Sequence, residues 1–293
     1  MIFINDLPEA TNFFIRLFTD DTFLCAQNDN LELLENEVNF ELKKVFIWLA
    51  SNKLTLNIDK SKFMLFSNKK NIDYMLRIKI NRNLLDICDE YKYLGVIFDS
   101  HLTWKPHIDR ICNKVSKACG ALSKLRHCVD LDTLKNVYYA LVHSYLRYGI
   151  IVWRSAIEKH KTRLNALLNR VVRIMTFAPF GIGTKPIFDF LKILDISQIF
   201  SLETGKFMFK SKNGLLPIST IANHFERQRA VHDHNLRNRT NSLVTPFVLL
   251  STFKQNSIHN RGLNSWNDIP EAIRSSESFN IFKSHYKSHL LQE

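Results

Sequence analysis

The spacing of apolar residues changes once along this chain, close to Asp99, and that change limits the folds open to it. Before Asp99, apolar residues form short runs with a period of two, interrupted by one helical stretch. After Asp99 they recur every three or four residues. A period of two is typical of strands and the longer spacing is typical of helices. The sequence therefore predicts an α+β front followed by a mostly α-helical rear.

The front predicts a hairpin, a helix and several short antiparallel strands. Two apolar runs, Phe13–Phe18 and Thr22–Ala26, flank Thr19-Asp20-Asp21, which is typical of a tight turn. Aspartate tolerates the left-handed backbone that such a turn can require. Asn30 is placed to cap a helix that continues to Ser51. Extended structure is expected over 53–67, 74–80, 84–88 and 93–98.

The rear predicts helices separated by short loops. Pro106 suits the first turn of one helix, and Asp132 is placed to cap a second helix that ends at Tyr148. Glycine and proline mark 178–186 as a loop. Further helices are expected over 158–177 and over 257–291. Two more are expected between the 178–186 loop and residue 213.

Charge is distributed unevenly between the two parts. Residues 1–100 contain 12 Lys/Arg and 15 Asp/Glu, a net −3, whereas the remaining 193 contain 28 and 13, a net +15. This asymmetry predicts a basic rear that holds a polyanion and a front that carries functional carboxylates. A solvated basic surface explains the charge equally well.

Cysteine usage and hydropathy indicate the compartment. The five cysteines are odd in number and form no CxxC pair, which favours buried thiols in a reducing environment. No run of eighteen uncharged apolar residues exists. The early Asp6 and Pro8 are unlike a signal peptide. We expect an intracellular protein of the nucleus or cytoplasm, neither secreted nor membrane-bound.

Adjacent carboxylates, Asp20 and Asp21, are the strongest candidates for chemistry. Two neighbouring acids stay ionised together most easily when a cation compensates them, and Mg²⁺ does this in nucleotidyl transfer. The alternative is an ordinary surface turn, because sixteen aspartates predict roughly one such pair by chance. The flanking sequence decides between the two interpretations.

Those flanks resemble motifs of one polymerase family. Phe18-Thr19-Asp20-Asp21 between two strand-like runs resembles motif C of reverse transcriptases, with Thr19 in place of the usual alanine. The segment from Trp48 to Lys62 resembles the helix, turn and strand of motif D in non-LTR retrotransposon reverse transcriptases. Tyr93-Leu94-Gly95-Val96 resembles their motif E, the primer-grip hairpin. Trp104 and His107, with the basic helix that follows, resemble the thumb of the jockey-like or CR1-like group.

Segments around Trp153 and Trp266 resemble those found at the C-terminal end of such open reading frames. The resemblance therefore covers essentially the whole chain. Each tryptophan is expected to anchor a core. The resemblance implies the C-terminal portion of a reverse transcriptase, an RNA-directed DNA polymerase. It implies a partial palm over 1–99, a helical thumb over 100–177 and a basic, mostly helical extension over 178–293.

The resemblance also implies roles for individual residues. Asp20 and Asp21 would be the catalytic pair and would bind Mg²⁺ or Mn²⁺. Lys60 would lie near the nucleotide phosphates, although a solvated lysine in a turn is an equal alternative. Leu94 and Gly95 would belong to the primer grip. The implied partners are an RNA template, an RNA–DNA hybrid and deoxynucleoside triphosphates.

Two family motifs precede the Asp pair in complete enzymes and do not occur here: the motif A aspartate and the Gly-x-x-x-Ser-Pro helix of motif B. Without them and the fingers we expect no polymerase activity from this chain alone and weakened metal binding. The alternative is a non-catalytic remnant that binds RNA or DNA.

Basic residues along the first rear helix alternate with its apolar stripe and predict one face that follows phosphates without reading sequence. The predicted members are Lys105, Arg110, Lys114, Lys117, Lys124 and Arg126. A later helix repeats the arrangement with Lys159, Lys161, Arg163, Arg170 and Arg173. The densest basic cluster falls within 227–240. RNA or an RNA–DNA hybrid would be recognised there by shape and backbone.

Overall fold

The computed structural model describes residues 4–67, 73–156, 158–216 and 258–292. The chain divides into two compact units, Met1–Leu102 and Thr103–Glu293. The sequence predicts a boundary after residue 99, three residues before this division. The regions predicted as thumb and C-terminal extension, residues 103–177 and 178–293, fall in one unit. The basic cluster of 227–240 lies outside the described residues.

The predicted hairpin opens the first unit. Its antiparallel strands are β1, Phe14–Phe18, and β2, Asp21–Cys25. Because Phe18 pairs with Asp21, the turn consists of Thr19 and Asp20 alone. The left-handed residue is Thr19 (φ 52°) rather than an aspartate, and Asp21 already belongs to a strand.

Helix α1, Leu31–Ser51, begins and ends where the sequence predicts. The Asn30 side chain accepts hydrogen bonds from the N–H groups of Glu32 and Leu33, two donors that a helix start leaves open. One side of α1 packs on two apolar clusters. They contain Leu42 with Ile78, Ile80 and Leu85, and Val45 with Leu7 and Ile15. The second cluster holds β1 against α1.

The other strands of this unit are short: β3 Lys62–Phe63, β4 Lys79–Ile80, β5 Asn83–Leu84, β6 Asp86–Ile87, β7 Glu90–Tyr93 and β8 Val96–Asp99. Two antiparallel hairpins form, β4–β5 and β7–β8. Strands β3 and β6 pair in parallel, which departs from the antiparallel strands expected. Turns interrupt the longer extended segments that period-two spacing predicts, since alternation does not reveal where a chain reverses.

A buried carboxylate, Glu41, joins α1 to the segment just before β1 and is 4% exposed. It accepts hydrogen bonds from Thr11 Oγ1 (2.7 Å), from the Asn12 backbone N–H (2.8 Å) and from Lys44 Nζ (2.7 Å). Burial acts to raise the pKa of Glu41, but these hydrogen bonds outweigh it and lower the pKa to about 2. The ionised carboxylate therefore links the hairpin to the helix.

Replacing this carboxylate should loosen the hairpin. We expect Glu41→Gln to destabilise the first unit by about 2 kcal/mol, because the buried donors lose a charged acceptor. Hydrogen exchange of residues 11–25 measures the effect, with the exposed Glu37→Gln on the same helix as control.

The pH dependence gives a second readout of the same change. The pKa of Glu41 is lower in the folded than in the unfolded chain. Its contribution to the free energy of unfolding is therefore complete above pH 4.5 and is lost as pH falls towards 2. Equal exchange rates in the wild type and Glu41→Gln across this range would contradict a structural role for the charge.

The second unit is helical, and in the described residues no helix has both the length and the apolar character needed to cross a bilayer. The helices are α2 Lys105–Leu125, α3 Leu131–Tyr138, α4 Ser144–Arg147, α5 Ile150–Trp153, α6 Glu158–Thr176, α7 Lys185–Leu191, α8 Ile196–Lys212, α9 Ile258–Asp268, α10 Glu271–Arg274 and α11 Phe279–Leu290. Helix α2 packs along α6, and α8 packs against α4, α5, α9 and α11.

Two details of this unit differ from expectation. The N-cap of α3 is Asp130, which accepts a hydrogen bond from the Thr133 N–H (2.9 Å), and not Asp132. The helix expected to run on to Tyr148 contains one π-helical turn, Tyr139–His143. Trp153 and Trp266 are fully buried, which confirms that both anchor the core.

Candidate functional site

The Asp20-Asp21 pair lies at the exposed tip of the β1–β2 hairpin. Thr19 precedes it in a left-handed conformation that is unusual for a β-branched residue. In that position Thr19 Oγ1 donates a hydrogen bond to Asp20 Oδ1 (2.8 Å). Thr19, which stands in place of the usual alanine, thus provides a hydroxyl that binds the carboxylate of Asp20.

Asp20 is held in its ionised form by its surroundings. The Thr19 hydroxyl is the largest cause of its lowered pKa, and the charge of Lys60 lowers the pKa further. Lys60 is positioned by a turn in which Asn57 Oδ1 accepts its backbone N–H (3.1 Å). The fold therefore brings Lys60 within electrostatic range of Asp20, although 39 residues separate them in sequence.

The β7–β8 hairpin lies beside the same tip. Its turn residues, Leu94 (φ 44°) and Gly95 (φ 84°), are both left-handed, as a two-residue hairpin turn with the sheet's twist requires. Tyr93, just before the turn, packs its ring 5.5 Å from the ring of Phe23 in β2. Burial raises the pKa of Tyr93, and the charge of Asp21 raises it further. The second hairpin thus places Tyr93 close to Asp21.

The oxygen atoms of the Asp pair suit a hard divalent cation. Within the described ranges, no three His, Cys, Asp or Glu side chains are grouped so as to enclose a metal ion. Magnesium is commonly held by one or two carboxylates while water and substrate phosphates complete its shell. Two exposed carboxylates fit Mg²⁺ or Mn²⁺ in that manner, as a partial ligand set.

The hydroxyl of Thr19 should control the ionisation of Asp20. We expect Thr19→Ala to raise the pKa of Asp20, because the hydrogen bond that favours the carboxylate is lost. A pH titration of the Asp20 side-chain carboxyl carbon by NMR measures this. The control is Thr22→Ala, an exposed strand threonine on the other side of the pair. An unchanged Asp20 titration in Thr19→Ala would show that the bond has no effect in solution.

Four exposed cations of α2 share one face. At 100° per residue, Arg110, Lys114, Lys117 and Lys124 fall within an arc of about 80° and extend over about 21 Å of the helix. All four are exposed. The only acid in α2 is Asp109, outside this arc. We call these four residues the α2 basic face.

The other two predicted members do not belong to it. At 100° per residue, Lys105 and Arg126 lie more than about 120° from the centre of the α2 basic face. Lys105 forms an ion pair with Asp109 (3.3 Å). Arg126 is the C-cap, stacks over the ring of Phe177 (4.3 Å) and donates to the Ile174 carbonyl (3.4 Å). The six-residue face expected from the sequence is therefore wrong for these two.

The basic face expected on α6 holds only in part. Lys159, Arg163 and Arg170 are exposed on one side of the helix, whereas Lys161 is buried and Arg173 is half-buried. Lys161 is 2% exposed, with its Nζ 3.5 Å from the Arg154 carbonyl oxygen, to which it donates. Arg163 approaches Asp109 of α2 (3.5 Å), and Arg173 donates to the Ile182 carbonyl (2.9 Å). These cations stabilise packing within the unit, because their partners come from neighbouring segments.

Relatives of this chain occur in mobile elements. Over 203 residues it is 23% identical to the RNA-directed DNA polymerase from mobile element jockey of Drosophila melanogaster, covering 66% of this chain and 22% of that protein. Over 154 residues it is 29% identical to the protein of the same name from Drosophila funebris, covering 52% and 17%. By these matches the chain resembles the RNA-directed DNA polymerases of non-LTR retrotransposons.

A third member of this polymerase family is 33% identical over 89 residues: the probable RNA-directed DNA polymerase from transposon X-element of Drosophila melanogaster, with 29% of this chain and 10% of that protein covered. This chain spans between 10% and 22% of the length of these three relatives. No family model and no solved structure matches it. The predicted resemblance to this family is confirmed, and the palm and thumb assignments stay predictions.

Proposed function

We propose that this chain supplies the Asp-Asp part of a nucleotidyl-transfer centre, in which the first unit is a palm remnant. The observation that supports it most is the grouping at the hairpin tip, where Lys60 and Tyr93 come from two other segments to lie near Asp20 and Asp21. The names of the relatives support RNA-directed DNA synthesis as the reaction. The proposed substrates are an RNA template, its RNA–DNA hybrid and deoxynucleoside triphosphates.

The chemistry required is attack of a primer 3′ oxygen on the α-phosphorus of a nucleotide, with release of pyrophosphate. Divalent cations bound at Asp20 and Asp21 would neutralise charge on the attacking and leaving oxygens. The lowered pKa of Asp20 keeps this carboxylate ionised, and the Thr19 hydroxyl orients one of its oxygens. Lys60 would attract the nucleotide phosphates, and the Leu94-Gly95 turn would support the primer end.

Metal binding tests the role of the Asp pair without requiring turnover. We expect the chain to bind Mn²⁺ weakly, and we expect the Asp20→Asn, Asp21→Asn double variant to lose that binding, because amide oxygens carry no charge. Electron paramagnetic resonance of free Mn²⁺ measures it. Asp29→Asn, an exposed aspartate that follows β2, is the matched control. Equal affinity in the double variant and the wild type would exclude the pair as the metal site.

Primer extension on an RNA template is the second arm of this experiment. We expect no incorporation by the chain alone, since two carboxylates supply only part of the ligand set for two cations. Incorporation that disappears in Asp20→Ala, Asp21→Ala would contradict this expectation and show a complete centre.

A second candidate function is nucleic-acid binding without catalysis. The α2 basic face supports it, because its four cations are exposed on one side of a helix with no acid among them. Such a row neutralises phosphates along a backbone and carries no sequence information. The two functions are compatible, since a polymerase also holds its template and primer.

Salt dependence measures the contribution of the α2 basic face. We expect substitution of Arg110, Lys114, Lys117 and Lys124 by Gln to reduce the slope of log K against log salt for an RNA–DNA hybrid by about 3 to 4, since each phosphate contact contributes about 0.7 to 0.9. Lys105→Gln, on the same helix but outside the face, should change the slope by less than about 1. If the fourfold variant had the same slope as the wild type, this face would be excluded as the binding surface.

A further inference from the structure

A surface cavity of about 300 Å³ lies in the second unit beside the α4–α5 segment and α8, and its volume is in the range of small ligand sites. Its lining combines cations, one carboxylate and an apolar wall. The residues that matter are Arg147, Ile150, Glu203, Lys206, Phe207 and Lys210.

The α8 residues of this cavity follow helical spacing. Glu203, Lys206 and Lys210 are separated by three and four residues, so they share one side of the helix. Arg147 is the last residue of α4, which packs against α8. The π-helical turn Tyr139–His143 lies immediately before α4, and π turns occur frequently at functional sites.

Positive charge exceeds negative charge in the lining. Glu203 binds two cations, with Arg147 Nε at 2.9 Å and Lys206 Nζ at 2.7 Å. Lys210 adds a third positive charge, and its Nζ lies 4.6 Å from the ring centroid of Phe279. One carboxylate therefore faces three cations, and Lys206 is only 8% exposed. A buried cation that shares its counter-ion is costly, and an incoming anion would relieve that cost.

Further cations on α11 add to the positive field. Burial lowers the pKa of Lys206, and Arg147 and Lys283 act in the same direction against Glu203. Burial lowers the pKa of His143 to about 4. Arg147, Lys287 and Lys206 also act to lower this pKa, and Glu203 acts to raise it. His143 Nδ1 is buried and has no hydrogen-bond partner in the described part of the chain. The neighbourhood is short of negative charge.

We infer that this cavity binds a phosphoryl group. The ion pair with Glu203 uses Nε of Arg147, and the other guanidinium nitrogens suit phosphate oxygens in bidentate geometry. Lys206 and Lys210 supply further donors, and Ile150 and Phe207 offer an apolar surface to the sugar or base that carries the phosphate. This site lies within the second unit and does not depend on polymerase chemistry.

Two sources can present this chemistry, a phosphodiester of a nucleic-acid strand and the phosphate of a free nucleotide. The first probe is inorganic pyrophosphate, titrated into the full chain by isothermal calorimetry. We expect saturable binding that Lys210→Gln weakens by about tenfold, since a charged hydrogen-bond donor is lost. Lys212→Gln is the matched control, because Lys212 also lies in the last turn of α8 near an aromatic ring, that of Trp266 (5.5 Å), but outside the cavity.

A second variant reverses the sign of the effect. Glu203→Gln removes the carboxylate that competes for Arg147 and Lys206, so it should tighten pyrophosphate binding at least about threefold. Circular dichroism checks that both variants remain folded.

Competition identifies the source of the phosphate. Displacement of pyrophosphate by octathymidylate lacking terminal phosphates indicates the nucleic-acid backbone, whereas displacement only by a deoxynucleoside triphosphate indicates a free nucleotide. Either result supports the site. Absence of pyrophosphate binding, or affinities in Lys210→Gln and Glu203→Gln equal to that of Lys212→Gln, overturns it.

Discussion

The charge on Glu41 fixes the part of the first unit on which the candidate site depends. This buried carboxylate accepts hydrogen bonds from Thr11 and Asn12, just before β1, while it lies on α1 and pairs with Lys44. Val45 packs with Ile15 of β1 in the adjacent apolar cluster. A directional polar link and an apolar contact thus act on the same short hairpin. Since a two-stranded hairpin is marginally stable alone, its Asp pair has a defined position because α1 provides both contacts.

Each of the two hairpins that pack together here has a strained turn. Thr19 and Leu94 both adopt left-handed conformations that residues with a Cβ rarely take. Such strain persists only where surrounding structure enforces it, and it concentrates at functional sites. Here the turns belong to hairpins whose side chains Phe23 and Tyr93 pack together. The packing between the hairpins and the hydrogen bond from Thr19 to Asp20 offset the cost of this backbone strain.

In the second unit, identical residue types serve different purposes according to their neighbours. The exposed lysines of the α2 basic face are free of nearby acids on their helix face, whereas Lys161 of α6 is buried against a carbonyl. Lys206 lies between these cases, because it is buried and shares Glu203 with Arg147. Counting basic residues along the chain does not separate a surface that meets phosphate from one that stabilises packing.

The sequence by itself determined the family resemblance, the Asp20-Asp21 hairpin, the start of α1 at Asn30 and most helices of the second unit. These features depend on local signals: adjacent motifs, caps and apolar spacing. Only the tertiary structure decided the parallel pairing of β3 with β6, the approach of Lys60 to Asp20, the exclusion of Lys105 and Arg126 from the α2 basic face, and the cluster around Glu203. Each depends on which distant side chain lies opposite, and periodicity along one element carries no information about its partner.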